Sequence, residues 1–184
     1  MNTVEFTMTF HTPFRVSSGK ARDGVNETVD PIDALPATSL KGVMRASAAT
    51  LLGSDNAHVS SVFGSGTAPS PWRWSAARPE DGSWETPRPV ARIAIDSDTQ
   101  TARRDMLAFA EQTGALRATF TVSQLGYLDE HERRRHELVL AVCGQATRSI
   151  GAQRRRGLGW VGIRCTSHTV DADAVAEFVE LMRT

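Results

Sequence analysis

The chain has 184 residues, 40% of them hydrophobic, enough length and apolar content for one buried core rather than a disordered or fibrous chain. Lys and Arg number 21 and Asp and Glu number 21, so the formal net charge is zero, which excludes capture of a polyanion by the field of the whole molecule. Any anion site has to come from local clusters such as Arg133-Arg134-Arg135 and Arg154-Arg155-Arg156, while Cys143 and Cys165 fall in no CxxC or Cys/His spacing and suggest no structural zinc.

The first residues lack a basic region followed by an apolar run, and no stretch is long and apolar enough to span a bilayer. A cytoplasmic protein with reduced thiols and no membrane partner is expected. Val4, Phe6, Met8 and Phe10 alternate with Glu5, Thr7 and Thr9, the period of a half-buried strand. From Pro13 to Leu35 the chain is polar and glycine-containing without periodicity, and a loop of that length in a compact domain points to function or disorder. A helix follows, with Thr38 or Ser39 as its expected cap and Leu40, Val43, Met44, Ala48 and Leu51 as its apolar face. Lys41 and Arg45 lie one turn apart on that helix, either a solvated edge or an anion contact.

A short helix is expected over His58 to Val62. Between Thr67 and Pro89 come five prolines and three tryptophans, a pattern no core helix tolerates. The reading is a core of residues 1–66 and 116–184 with an arm inserted at 67–115, extended near Val90 to Ile95 and turning at Asp96-Ser97-Asp98. That turn reads as an Asp-rich turn rather than a metal site, since such side chains bond their own backbone. A second strand runs from Leu116 to Ser123, a helix from Asp129 to Ser149, a strand from Trp160 to Cys165 and a helix from Asp171 to Met182. Strand, helix, strand, helix, strand predicts a ferredoxin-like α+β domain. Between the last strand and the helix before it lies Gly151-Ala-Gln-Arg-Arg-Arg-Gly-Leu-Gly-Trp160. Taken alone this loop admits two readings: backbone N–H groups and guanidinium forks around phosphates, or a glycine turn with solvated arginines.

Five segments in order carry a resemblance. Pro36-Ala-Thr-Ser-Leu-Lys-Gly-Val-Met-Arg45 resembles the signature that opens the first helix of the RAMP superfamily, and within it the backbone subunits of type III CRISPR effector complexes. Thr12-Pro-Phe-Arg-Val-Ser-Ser-Gly19, Val62-Phe-Gly64, the stretch from Ile95-Asp96 through Thr101-Ala-Arg103 to Phe109-Ala-Glu111, and the glycine-arginine loop agree with it. The resemblance implies a modified RNA-recognition-motif core with a β-rich thumb. It implies a subunit of an antiviral ribonucleoprotein that polymerises along a guide CRISPR RNA, with complementary target RNA, copies of itself and other effector subunits as partners. Contacts independent of guide sequence require phosphate rather than base recognition. On this resemblance Arg15, Ser18, Gly19, Ser39, Lys41 and Arg45 touch the guide from one side, and Gly151, Arg154, Arg155, Arg156, Gly157 and Gly159 from the other. Met106 and Leu107 would form the apolar wedge of the thumb.

Family members that cut target RNA carry an aspartate in a glycine, aliphatic, aspartate context ahead of the first helix. Here Gly24-Val25-Asn26 stands in that place, and an amide supplies neither negative charge for a divalent cation nor a proton acceptor. Binding without cleavage and without cofactor is expected; Asp23 or Asp30 could restore a carboxylate in a shifted register, and magnesium or manganese would be needed only then. Two further readings stay open: a guide-processing endoribonuclease with His11 as base, and a ferredoxin-like assembly domain that binds no nucleic acid.

Overall fold

The computed structural model describes residues 2–93, 95–103 and 106–183. The alternating segment forms β1 (Thr3–Phe10), with Val4, Phe6, Met8 and Phe10 buried on one face. It pairs antiparallel with β6 (Arg117–Gln124) on one side and with β7 (Val161–Cys165) on the other. Phe6 stands opposite Phe120 and the rings stack 4.8 Å apart, so the register sets the centre of the core.

Beyond β6 the sheet continues with β2 (Trp72–Trp74) and β3 (Arg78–Pro79), giving five strands with the path β2-β6-β1-β7 and β3 beside β6. Residues 72–79, expected in the inserted arm, therefore lie in the main sheet. The reason is burial: Trp72 and Trp74 face the core and Arg73 does not, an alternation too short to register as a period. Pro79 is tolerated because β3 is an edge strand. The prolines and tryptophans thus mark a sheet edge. What projects is the separate hairpin of β4 (Arg88–Arg92) and β5 (Ala108–Gln112), with residues 95–103 beyond its strands. Within that stretch Asp96 Oδ1 accepts from the amides of Asp98 and Thr99, closing its own turn.

The helices α1 (Ala37–Leu52) and α3 (Glu130–Ala146) pack together over the apolar face of the sheet, with α2 (Ala57–Phe63) against both and α4 (Ala172–Leu181) on α3. Helix α1 starts earlier than its hydroxyls suggested: the cap is Pro36, whose carbonyl accepts from Ser39 and Leu40, and no side chain caps it. In α3 the Arg133-Arg134 pair is neutralised, Arg133 by Glu130 and Glu137 and Arg134 by Glu130, so this cluster is a salt-bridged helix face. Gly144 lets α3 sit on the sheet, since a Cβ there would lie 2.5 Å from the Phe6 ring. Cys143 is buried beside it, and burial pushes its thiol up to about 12.

His136 is buried between α3 and the sheet edge and accepts from Trp72 Nε1 at its Nδ1, 3.0 Å away, so its proton sits on Nε2. Burial lowers its pKa; Glu132 opposes this, and His58 and Arg135 add to it. The folded chain thus binds this proton less readily than the unfolded chain, whose histidine titrates near 6.5. Stability is predicted to hold above that pH and to fall as the pH drops below it. His136→Asn, which keeps an acceptor for Trp72 without a titrating ring, should flatten the fall in urea denaturation midpoints between neutral and mildly acidic buffers.

Candidate nucleic-acid interface

The chain between β1 and α1 is where the parts of the site meet. His11 N donates to Trp160 O, Trp160 N to Thr12 Oγ1, Gly159 N to Pro13 O, and Ala152 N to Arg15 O. Phe14 exchanges both backbone bonds with Thr113 at the root of the arm. Residues 11–15 are therefore held between the glycine-arginine loop on one side and the hairpin on the other. Beneath them Phe10, Phe14 and Trp84 pack ring against ring at 5.2 to 5.8 Å.

Two loop glycines are required by this closeness. A Cβ on Gly151 would stand 2.3 Å from Arg15 O, and one on Gly159 2.0 Å from Ile150 O; both residues have positive φ. Their role is to let backbone meet backbone. Gly157, also at positive φ, has open space around it. Between the tight points Arg154–Arg156 form one exposed 3-10 turn.

This turn faces α1 across two shallow grooves. One, of about 430 Å³, is lined by Ser39, Gly42, Ala46, Gly151 and Arg154 among others; the second, of about 420 Å³, by Val43, Ser47, Thr50, Arg148 and Arg154. Ser39, Gly42 and Ala46 recur at helical spacing, and their small size leaves room for a ligand against the helix. Of these groove residues Ser39, Gly151 and Arg154 are among the expected contacts, whereas Gly42, Ala46 and Arg148 are not and come to the site only through packing.

Lys41 and Arg45 share a face as expected, but they lie on the other side of α1 from these grooves. Lys41 sits over the Trp74 ring at 5.2 Å, and Arg45 Nη1 donates to Gly64 O at 2.9 Å. Burial, then the neighbouring Arg45, lowers the Lys41 pKa. Arg15, expected at the surface, is only 1% exposed. The physical reason is Glu27: its carboxylate lies 3.4 Å from Arg15 Nε and accepts from Arg92 of β4 at 2.9 Å, so one acid holds two cations beneath the arm. Among the described residues the Arg15 guanidinium has no hydrogen-bond partner, and burial lowers its pKa, opposed by Glu27 and aided by Arg92. A second clamp joins Arg22 to the buried Glu111, which also accepts from Val29 N.

The segment around Asn26 runs parallel to β5. Asn26 N donates to Phe109 O at 2.8 Å and its Oδ1 accepts from Phe109 N at 2.9 Å, so the side chain extends the arm's pairing. Asp30 accepts from Ile32 and Asp33 amides in a turn of its own, which lowers its pKa. Among the described residues no three His, Cys, Asp or Glu side chains gather as a metal site. Ser18 is joined to Thr28 at 2.7 Å and Gly19 has open space, both exposed near the arm root. Met106 and Leu107 are exposed and, with Ile93, Ile95, Asn26 and Arg156, line a hollow of about 780 Å³ between arm and loop.

A family model described as the RAMP superfamily matches residues 7–162. No curated protein matches the sequence. Among solved structures, a chain of a type III-B Cmr-beta complex bound to cognate target RNA superposes with a TM-score of 0.67 at 13% identity, covering 91% of this chain and 98% of that one. The apo state of Cmr-beta gives 0.66 at 11% identity with the same coverage. A type IV-B CRISPR complex chain gives 0.61 at 14% identity, with 93% of each chain covered. At such identities the likeness is one of fold.

Removing the shared countercharge tests the arrangement under the arm. Glu27→Gln is predicted to lower unfolding free energy by about 2 kcal/mol, less than for a wholly buried pair because Glu27 is 37% exposed. Adding Arg15→Met should recover most of the loss, since the buried cation no longer needs a partner; urea denaturation of the wild type and the two variants reads this directly.

Proposed function

The chain belongs to the RAMP superfamily, and on that footing we propose that it is a guide-RNA-binding backbone subunit of a type III-like CRISPR effector complex. The observation that carries the reading is the groove between α1 and the arginine turn, where the loop's backbone is locked while Arg148, Arg154, Arg155 and Arg156 remain exposed. We read the five-stranded sheet and its helices as a ferredoxin-like core, a reading supported by the path β2-β6-β1-β7, and the β4–β5 hairpin as the thumb. Guide phosphates lie in the groove against Ser39, Gly42 and Ala46, with the arginine turn and Gly157 above them. Ser18 and Gly19 extend the contact toward the thumb. Lys41 and Arg45 hold α1 from its far side, and Arg15 holds the thumb's root through Glu27. Because these groups meet phosphate and no base edge, any guide sequence is accepted.

Copies of the subunit follow one another along the guide, and target RNA pairs to it between thumbs. Met106 and Leu107 press apolar side chains into the duplex at each interval, a role supported by their exposure of 51% and 59%. The subunit binds without cutting. Asn26 is neutral, its oxygen is already bonded to Phe109 N, and Asp30 is committed to its own turn, so these residues do not fit a divalent cation.

Purified at low salt, the protein is expected to carry RNA, visible as base absorbance and released at high salt. Replacing Arg154, Arg155 and Arg156 with glutamine should lower the salt concentration at which that RNA is released, with the fold intact by circular dichroism; a wild-type protein that elutes as an RNA-free monomer refutes the reading. Assembled particles given complementary RNA with magnesium or manganese should leave it whole. Regularly spaced cuts that disappear in Asp23→Ala or Asp30→Ala would overturn the non-cleaving assignment.

A further inference from the structure

The face of the main sheet turned away from α1 and α3 has chemistry of its own. One row across the strands reads Arg78, Thr119, Thr7, Arg164, and the next reads Arg117, Thr9, Gly162. Directly opposed residues in an antiparallel pair share a face, so these side chains stand together. Arginine occupies the flanks and threonine the middle. Among the described residues Arg78, Arg117 and Arg164 have no side-chain hydrogen bond or ion pair. The carboxylates on this face are Glu5 and Glu80, the latter following β3 with its N–H bonded to Arg117 O, against these three arginines and Arg73 opposite Ser123. Although the chain is neutral overall, this surface is cationic.

At the end of the sheet the His11 ring lies over Gly162, whose missing Cβ would come within 3.4 Å of His11 Nε2. It packs 5.1 Å from the ring of Trp160, which is 58% exposed while Trp72, Trp74 and Trp84 are buried. The backbone of Trp160 is bonded on both sides, to Thr12 and His11, so its exposed ring is held in place. A concavity of about 810 Å³ on this face, lined by Thr7, Thr9, Arg117, Gly162 and Arg164, runs from there toward the segment that follows β7.

We propose that this open face is a second surface for single-stranded RNA, separate from the groove between α1 and the loop. Arg78, Arg117 and Arg164 hold phosphates, the threonine hydroxyls meet phosphate and sugar oxygens, and Trp160 with His11 stacks a base at the sheet's end. Sheet faces that read RNA bases place aromatic residues on their central strands, and here those positions are threonine. Binding is therefore indifferent to sequence except at the stacked position. An acidic protein segment would satisfy the arginines but leave both rings exposed, whereas a polynucleotide uses charge, hydroxyl and ring together. The site stands whether or not the groove holds the guide.

The test is binding of a short mixed-sequence single-stranded RNA to the full chain across a potassium chloride series. Each phosphate contact contributes roughly 0.7 to the slope of log affinity against log salt, so R117Q/R164Q should reduce the slope by about 1.4. R148Q/R154Q, whose two arginines line the groove, should reduce it by a similar amount, and the combined variant should add the two. An unchanged slope in R117Q/R164Q overturns the proposal and leaves the groove reading standing if R148Q/R154Q still lowers it; the opposite pattern overturns the groove reading alone. In the unaltered chain, RNA should protect Arg117 and Arg164 from phenylglyoxal, mapped by mass spectrometry. Absent protection, or equal protection by polyglutamate, overturns the assignment to nucleic acid.

Discussion

Residues 11–15 are the place where backbone meets backbone from two directions, and the arrangement of the site depends on that contact. The glycine-arginine loop bonds to Pro13 and Arg15, the arm bonds to Phe14, and the aromatic cluster of Phe10, Phe14 and Trp84 fixes the floor. Carbonyl oxygens this close to neighbouring Cα atoms exclude any side chain, which is why Gly151 and Gly159 stand where they do. Once the loop is locked at these points, the arginines between them project from a fixed base. Three mobile cations would lose more entropy on meeting a phosphate chain than three cations already placed.

The same segment couples the loop to the arm electrostatically. Arg15 and Arg92 compete for Glu27, and Arg22 reaches the buried Glu111 of β5, so the hairpin root is pinned by acids that face inward. Buried charges of this kind cost solvation and are retained where orientation matters more than raw stability. Here they orient a two-stranded arm that has little core of its own: Val90, Ile93, Ile95, Met106, Leu107 and Phe109 are all exposed. A hairpin with such a surface is marginal by itself. The exposure of these apolar residues accords with the wedge proposed for the arm.

Neutral net charge conceals a partition. Acids neutralise Arg133 and Arg134 of α3 and the arginines of the arm root, while the arginine turn and the open sheet face are left with cations in excess. Counting charges along the sequence could find the runs, but it could not tell Arg133-Arg134, which meet Glu130 one turn away, from Arg154-Arg155-Arg156, which meet no acid in the loop. Nor could it assemble Arg78, Arg117 and Arg164, which come from three strands far apart in the chain and become neighbours only by pairing.

What the sequence determined was local. Period-two alternation identified β1 and β6, helical spacing identified α1, α3 and α4, and Asp129 and Asp171 stand as their caps because capping needs only the next few residues. Motif order pointed to the RAMP superfamily, and the family model covers the segments that carried it. The tertiary structure decided everything that depends on a distant partner: that Trp72 and Trp74 belong to the sheet edge, that Arg15 turns inward to Glu27, that Lys41 and Arg45 face Trp74 and Gly64, and that small residues of α1 face the arginine turn. A helix repeat tells which residues share a face, but only packing against the sheet tells which way that face looks.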